Sequence, residues 1–482
     1  MVHIIGGGNS GAPGTTALRA SASPGRTFSA LRNRNFRRYF AAQVVSLVGT
    51  WMETIAQSWL VLQLTHSGTA LGLVVAVQFL PVLLLSPYAG VIVDRVDKRR
   101  ILFATQSVMA SCALALGLLC ITHEVHLWMV FVIALSTGVA SAFDGPNRQA
   151  FVMDIVGPDE IRNAVTMNSI SINVARAAGP AVAGVVIAAI GVSWCFLANA
   201  ISFAAVIGAV ATFDLASLHP AERTARGKGQ VRSGFASVLR TPTLLMPIVM
   251  MVLVGTLTYE FPVTLALLAK DTFHGGASTY GFLTTALGTG AVLGGVWVAA
   301  RGGHGLRPLA AATATLGAGL LVTTFAPSVH VAVAALFVAG VGMIAFNSIG
   351  NTTLQLEVDP LMRGRVMALW SVAFVGSTPL GGPITGAIGQ HFGARWSVAV
   401  GAIAALAASA LAVVTLMTRR RRGRRGREGQ LGPGLDAETT HRDVGHKPGD
   451  VSDPLPIGGV PHMSGAEKTL DVLAPAETAT DP

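Results

Sequence analysis

The chain has 482 residues, of which 51% are hydrophobic and only 12% charged, with 34 Lys and Arg against 24 Asp and Glu for a formal net charge of +10. Soluble domains carry roughly 25% charged residues, so this composition, with a mean hydropathy of +0.58, excludes a water-soluble surface. The positive charge is not read as a nucleic-acid footprint, because it falls in short links between apolar stretches.

The first 36 residues are rich in Gly, Ala, Ser, Thr and Arg. They hold no short apolar core before a small-residue cleavage site, so they read as a disordered tail without a cleavable signal. Stretches long enough to cross about 30 Å of hydrocarbon at 1.5 Å per residue then recur. The predicted spans are 40–63, 70–93, 101–121, 127–146, 164–190, 194–214, 244–267, 279–300, 306–326, 329–350, 367–390 and 396–418. The fold class is therefore all-α integral membrane, with twelve transmembrane helices. The 55 glycines suit close backbone approach, since van der Waals contact replaces hydrophobic drive between helices in lipid.

Cations set the orientation. Arg32, Arg34, Arg37 and Arg38 precede the first span, and the even-numbered links carry Arg95, Lys98, Arg99 and Arg100, then Arg148 and Arg162, Arg223 to Arg240, Arg301 and Arg307, and Arg363 and Arg365. The odd-numbered links hold only Lys270 and Arg395. The positive-inside bias then places both termini in the cytoplasm. After the last span, Arg419 to Arg422 with Arg424, Arg425 and Arg427 read as an anchor to anionic headgroups. Residues 428–482 have too few large apolar side chains to fold.

The halves echo one another. Gly49-Thr50 with Glu53 in the first span is matched by Gly255-Thr256 with Glu260 in the seventh, and Gly179-Pro180 in the fifth by Gly382-Pro383 in the eleventh. Arg162 and Arg365 each lie 18 residues before their proline. A duplication divides the chain into a tail 1–36, a six-helix half 37–214, a basic cytoplasmic link 215–243, a second half 244–418 and a C-terminal tail 419–482. Parallel six-span repeats are a known transporter plan, with the substrate site between the halves near the midplane.

Between the second and third spans the chain reads Gly90-Val91-Ile92-Val93-Asp94-Arg95-Val96-Asp97-Lys98-Arg99-Arg100. This resembles the signature of the major facilitator superfamily, with Asp97 and Lys98 where glycine and arginine are usual. Trp51 to Leu64, Phe143 to Val152, Gly179-Pro180 and Arg363 to Ala368 are similar to the branch containing siderophore exporters and drug:proton antiporters. The resemblance covers about 36–418 and implies two pseudo-symmetric six-helix halves rocking about a central cavity. It also implies a gate in which Asp94 accepts bonds from the N-terminal end of the eleventh helix and pairs with Arg95 or Arg365. Gly90 is expected where spans approach closely. Arg99 and Arg100 either close the turn or mark the inside, and Asp144 and Arg148, one turn apart on the fourth span, form an ion pair with a gating or a structural role.

Ionisable groups inside a membrane are expensive and usually face a cavity. Glu53 and Glu260 are the clearest, and the resemblance puts spans one, four, seven and ten around the cavity. Thr50, Glu53 and Gln57 share a helix face, as do Thr256 and Glu260, with Tyr259 beside them. A glutamate held there carries a proton at neutral pH and releases it when the cavity hydrates, or it simply bonds a neighbouring helix. Arg176 in the fifth span balances an acid, binds an anionic substrate group or snorkels to an interface. Asn347 on the tenth bonds a ligand or joins helices. Gly179-Pro180 matches part of the antiporter signature, while Ala134 to Phe143 lacks the arginine common in the fourth span of such antiporters.

Cys112, Cys120 and Cys195 fall within spans and read as packing residues. His66, His123, His126, His274, His330 and His391 fall at external links without metal spacing, and no Walker-type loop is present. No cofactor is expected beyond a proton gradient, and no nucleophile–base pair suggests an enzyme. The sequence thus points to a monomeric secondary exporter of drug-like compounds or siderophores in a bacterial inner membrane, with a small-molecule substrate, lipid contacts and no nucleic-acid partner. An importer or facilitator on the same fold, or a non-transporting scaffold or sensor, are the alternatives.

Overall fold

The computed structural model describes residues 29–219, 242–359 and 362–430. The expected tail 1–28, most of the inter-half link and residues 431–482 lie outside the described residues. Among those described, nearly all backbone is helical: α1 Arg34–Thr65, α2 Gly68–Arg95, α3 Lys98–Ile121, α4 Leu127–Val156, α5 Ile161–Ile190, α6 Val192–Ala211, α7 Pro242–Leu257, α8 Phe261–Leu267, α9 Ala277–Arg301, α10 Leu306–Thr324, α11 Val329–Glu357, α12 Arg363–Val375, α13 Thr378–Phe392 and α14 Ala394–Gln430. A π-turn, Leu268–Thr272, extends α8.

Polar side chains and left-handed residues punctuate these helices. Asn33 caps α1 by accepting from the amides of Asn35 and Phe36, at 2.9 and 3.1 Å. His66 ends α1 with φ 53°, and Ser67 caps α2 by accepting from the Ala70 amide. The order begins earlier than the sequence suggests: a 3-10 turn covers Ser29–Arg32, and Asn33 donates to the Ile155 carbonyl. The last helix runs on to Gln430, past the expected end of its span.

Among the described residues, ten helical stretches are long and apolar enough to cross a membrane. The first and eleventh expected spans fall short of that measure for different reasons. The middle of α1 carries Thr50, Glu53, Thr54, Gln57 and Ser58, and the eleventh is split into α12 and α13. The outer surface is apolar: Ile201 is 71% exposed, Phe325 73% and Phe392 72%, as a lipid-facing surface requires.

Within the first six helices α1 packs on α5 and α6, α2 on α4, and α3 on α4 and α6; within the rest α11 packs on α9 and α10, and α7 on α12 and α13. Two seams join the sets, α5 with α9 and α2 with α13. Both are glycine seams. A Cβ on Gly68 would lie 2.7 Å from the Gly386 carbonyl oxygen, and one on Gly72 would overlap that of Gly382. On the other seam, a Cβ on Gly281 would lie 2.7 Å from the Pro180 oxygen, and one on Gly288 2.7 Å from that of Arg176. Ser67 and Thr69 also donate to Gln390 Oε1, at 2.7 and 3.1 Å, and Lys270 Nζ to the Leu62 carbonyl at 2.6 Å. These contacts lie away from the cation-rich links. Toward those links a Cβ on Gly90 would meet nothing within 4 Å, so the expected close approach at Gly90 is absent here.

Two predictions follow from this packing. Gly72→Leu forces α2 from α13, so the disulfide yield between cysteines placed at Ser67 and Gln390, in a background without native cysteines, should fall from near complete to background. Ser29 and Asn163 donate to Glu160 at 2.6 and 2.7 Å and hold its carboxyl below the usual carboxylate range. A depressed value stabilises the tie above the ordinary range and loses it as pH falls through the depressed value. Amide protection over 29–36, corrected for intrinsic exchange, should therefore drop on acidification, and Glu160→Gln should flatten that dependence.

Candidate functional site

The breaks in the helices place the site. Pro262 offers no N–H and its ring excludes a helical carbonyl at Thr258, so α7 ends at Leu257 and α8 begins at Phe261. The amides of Thr258 and Tyr259 share the Val254 carbonyl, at 2.8 and 3.2 Å. Pro379 interrupts the eleventh span likewise, after Gly376 and Ser377. The interruptions lie side by side: a Cβ on Gly255 would be 2.5 Å from Ser377 Oγ, and the rings of Tyr259 and Phe374 meet edge to face at 5.8 Å.

A cavity of about 470 Å³ lies between the two sets of helices against these breaks. Its walls are mainly apolar and aromatic, including Trp51, Phe79, Phe261, Tyr280 and Phe374, with Thr50, Gln57, Gln78, Thr284 and Asn347 supplying neutral polar groups. Gln57 Nε2 donates to Gln78 Oε1 at 3.4 Å, and the Tyr280 hydroxyl to the Pro262 carbonyl at 3.1 Å. Gln78, Trp51 and Tyr280 also line the site beyond the expected set; Gln78 carries a signal in the sequence, a polar residue in an apolar run, whereas nothing local tells which face of their helices Trp51 and Tyr280 present to the cavity.

Two charged residues line it, Glu260 and Arg176. Glu260 is only 1% exposed; among the described residues the Thr378 side chain is the donor set against its carboxyl, and no close hydrogen bond reaches either oxygen. Cβ atoms on Gly381 and Gly382 would lie 2.7 and 3.6 Å from its two oxygens. Arg176 is half-buried, with its guanidinium 5.3 Å from the centre of the Trp51 ring. Tyr259 faces it from the other half and donates its hydroxyl to the Met343 carbonyl at 3.2 Å.

Other expected site residues are placed differently. Glu53 does not line the cavity. It is buried against α6, where Asn199 donates to its carboxyl and Ser202 donates to Asn199 Oδ1 at 2.9 Å. The reason is steric: Gly49, one turn earlier, leaves space into which Asn199 inserts, so helix spacing groups Thr50, Glu53 and Gln57 while packing divides them. Thr256 is also outside the cavity and donates to the Val252 carbonyl at 2.7 Å, because the break after Leu257 ends the helix face it would have shared with Glu260.

At the cation-rich face Asp94 and Arg95 are exposed at the end of α2. The two departures from the superfamily signature have local roles. Asp97 caps α3 by accepting from the Arg99 amide at 2.8 Å, and Lys98 pairs with Asp154 of α4 at 2.6 Å. Arg99 lies over the Phe103 ring at 5.2 Å and donates to the Ala211 carbonyl at the end of α6. Asp144 pairs with Arg148 and accepts from Thr105 and Gln106 of α3, at 3.0 and 2.9 Å. Arg365 donates to Met362 Sδ at 3.1 Å. Gly179 and Pro180 pack against α1 and α9, and Gly382 and Pro383 against α2.

Residues 25–428 match the model of a family described as transmembrane secretion effector, within the major facilitator superfamily. The chain belongs to that family. Similar curated proteins include the staphyloferrin A transporter of Staphylococcus aureus, 34% identical over 34% of this chain and 42% of that protein. The multidrug efflux pump Tap of Mycobacterium tuberculosis is 26% identical over 73% of this chain and 87% of the pump. The enterobactin exporter EntS of Escherichia coli is 24% identical over 73% and 85%. Among solved structures, the nucleoside transporter NupG aligns with a TM-score of 0.65 at 12% identity, covering 79% of this chain and 99% of that one. An inward-facing bacterial homologue of the human lysosomal transporter Spinster aligns at 0.61 and 14% identity over 82% and 96%. This member of the family is a multi-pass membrane transporter and not an enzyme.

Burying Glu53 against Asn199 sets up a stability test. Asn199→Ala strands the carboxyl and should cost about 1–3 kcal/mol, whereas Glu53→Leu with Asn199→Ala removes both polar partners and should recover most of it. Thermal unfolding in detergent measures both.

Proposed function

We propose that this transporter works by alternating access and exports drug-sized amphipathic compounds, of the multidrug or siderophore class, from a bacterial cytoplasm in exchange for protons. The cavity supports this most directly: it has the volume and mixed lining of a small-molecule site, and its glycine seams lie on one side while Gly90 stands open on the other. The positive-inside bias assigns the open side and both termini to the cytoplasm. The names of the relatives favour export over import. Charged residues retained in the cavity argue against a scaffold.

The halves 37–214 and 244–418 are the rocking bodies in this reading, within a single chain seated in the inner membrane. Glu260 is the proton carrier. Its carboxyl has only Thr378 as a donor in a narrow slot formed by Gly381 and Gly382, and Gly382 also abuts Gly72 on the seam. An ionised carboxylate is poorly tolerated there, so ionisation favours separation of the seam and hydration of the slot. Asp94 and Arg365 form the cytoplasmic gate when that side closes, and Gly90 is needed in that state.

Inverted vesicles with a lumenal pH probe test the coupling. Adding a transported compound should release lumenal protons with the wild-type protein and with Glu53→Gln, and should fail with Glu260→Gln. Unchanged proton release with Glu260→Gln overturns the assignment of the carrier.

A further inference from the structure

The charge of the substrate is written into the two ends of the cavity, given the transporter reading above. Of the two charged residues that line the cavity among those described, Glu260 is the more buried, 1% exposed and packed against the glycines of α13. Arg176 is half-buried and lines the cavity. Among the described residues no carboxylate pairs with it, its Nε has no hydrogen-bond partner, and its near neighbours are the Trp51 face and the Tyr259 side chain.

A guanidinium does not shed its charge at any accessible pH, so an unpaired one in an apolar site is costly until an anion meets it. Trp51 holds one flat face of the group and leaves its in-plane N–H donors to a ligand. The Arg176 backbone is fixed as well, since its carbonyl closes on Gly288 of α9. The cation therefore stands at the inner end of the α5–α9 seam, where a bound anion bridges the two halves.

We infer that the cavity selects amphipathic anions: molecules with an aromatic or alkyl body that packs against Phe79, Phe261 and Phe374 and an acidic oxygen, carboxylate or phenolate, that pairs with Arg176. The neutral amides of Gln57, Gln78 and Asn347 serve the remaining polar groups of such a molecule.

A matched set of probes tests this: 1-pyrenebutyrate, its methyl ester and 1-pyrenebutylamine, dialysed to equilibrium against the full-length protein in phosphatidylcholine nanodiscs, with empty discs subtracted. Wild-type protein should bind the carboxylate at least about tenfold more tightly than the ester or the amine. Arg176→Gln should erase that preference, with an unchanged thermal-unfolding midpoint in the same nanodiscs as the control for folding, and Arg176→Lys should restore part of it. No carboxylate binding, equal or tighter binding of the amine, or a preference that survives Arg176→Gln overturns the inference. Export of any of the three probes from vesicles, measured separately, reports on the transporter reading whichever way the charge preference falls.

Discussion

Hydrocarbon offers no partner to a backbone amide or carbonyl, and the rest of the architecture depends on that constraint. The chain answers it with helices throughout the described spans. Irregular backbone at membrane depth is then confined to places where protein or a water-filled cavity surrounds it. The breaks at Thr258–Glu260 and at Gly376–Ser377 obey this limit by lying next to each other and against the cavity. Pro262 and Pro379 create the interruptions, and their adjacency lets the rings of Tyr259, Phe261 and Phe374 line a site that two regular helices would have filled.

The same constraint explains the glycines. With no hydrophobic drive between helices in lipid, α2 and α13 hold together through backbone contact at Gly68, Gly72, Gly382 and Gly386, and α5 and α9 through Pro180, Gly184, Gly281 and Gly288. Hydrogen bonds add to the first seam only at its end, where Ser67 and Thr69 meet Gln390. Ion pairs serve a different task at the cation-rich face, where Lys98–Asp154 ties α3 to α4, and Asp144, paired with Arg148 on its own helix, accepts from Thr105 and Gln106 of α3.

Glu53 and Glu260 look alike as sequence and differ in kind as structure. Glu53 has a donor in Asn199 and sits between helices of one set, where it joins α1 to α6. Glu260 has only the Thr378 side chain against its carboxyl and sits at the contact of α8 with α13, behind a seam joining the two sets. A buried acid held by a firm donor specifies packing, whereas a weakly satisfied one is the more open to a change of protonation.

The sequence alone determined the class, the position of most spans, the asymmetry of cations and the superfamily, because length, apolarity and the Gly90 to Arg100 link are properties of single segments. It also marked Glu260, Arg176, Gln57 and Tyr259, since polar residues in long apolar stretches stand out. Only the tertiary structure decided which way each of them points. Glu53 follows the helical period of Thr50 and Gln57, yet the space left by Gly49 admits Asn199 from 146 residues away. The adjacency of the two breaks, the seams and the unpaired state of Arg176 are likewise products of contact between distant segments, and no local pattern encodes which neighbour a helix face will meet.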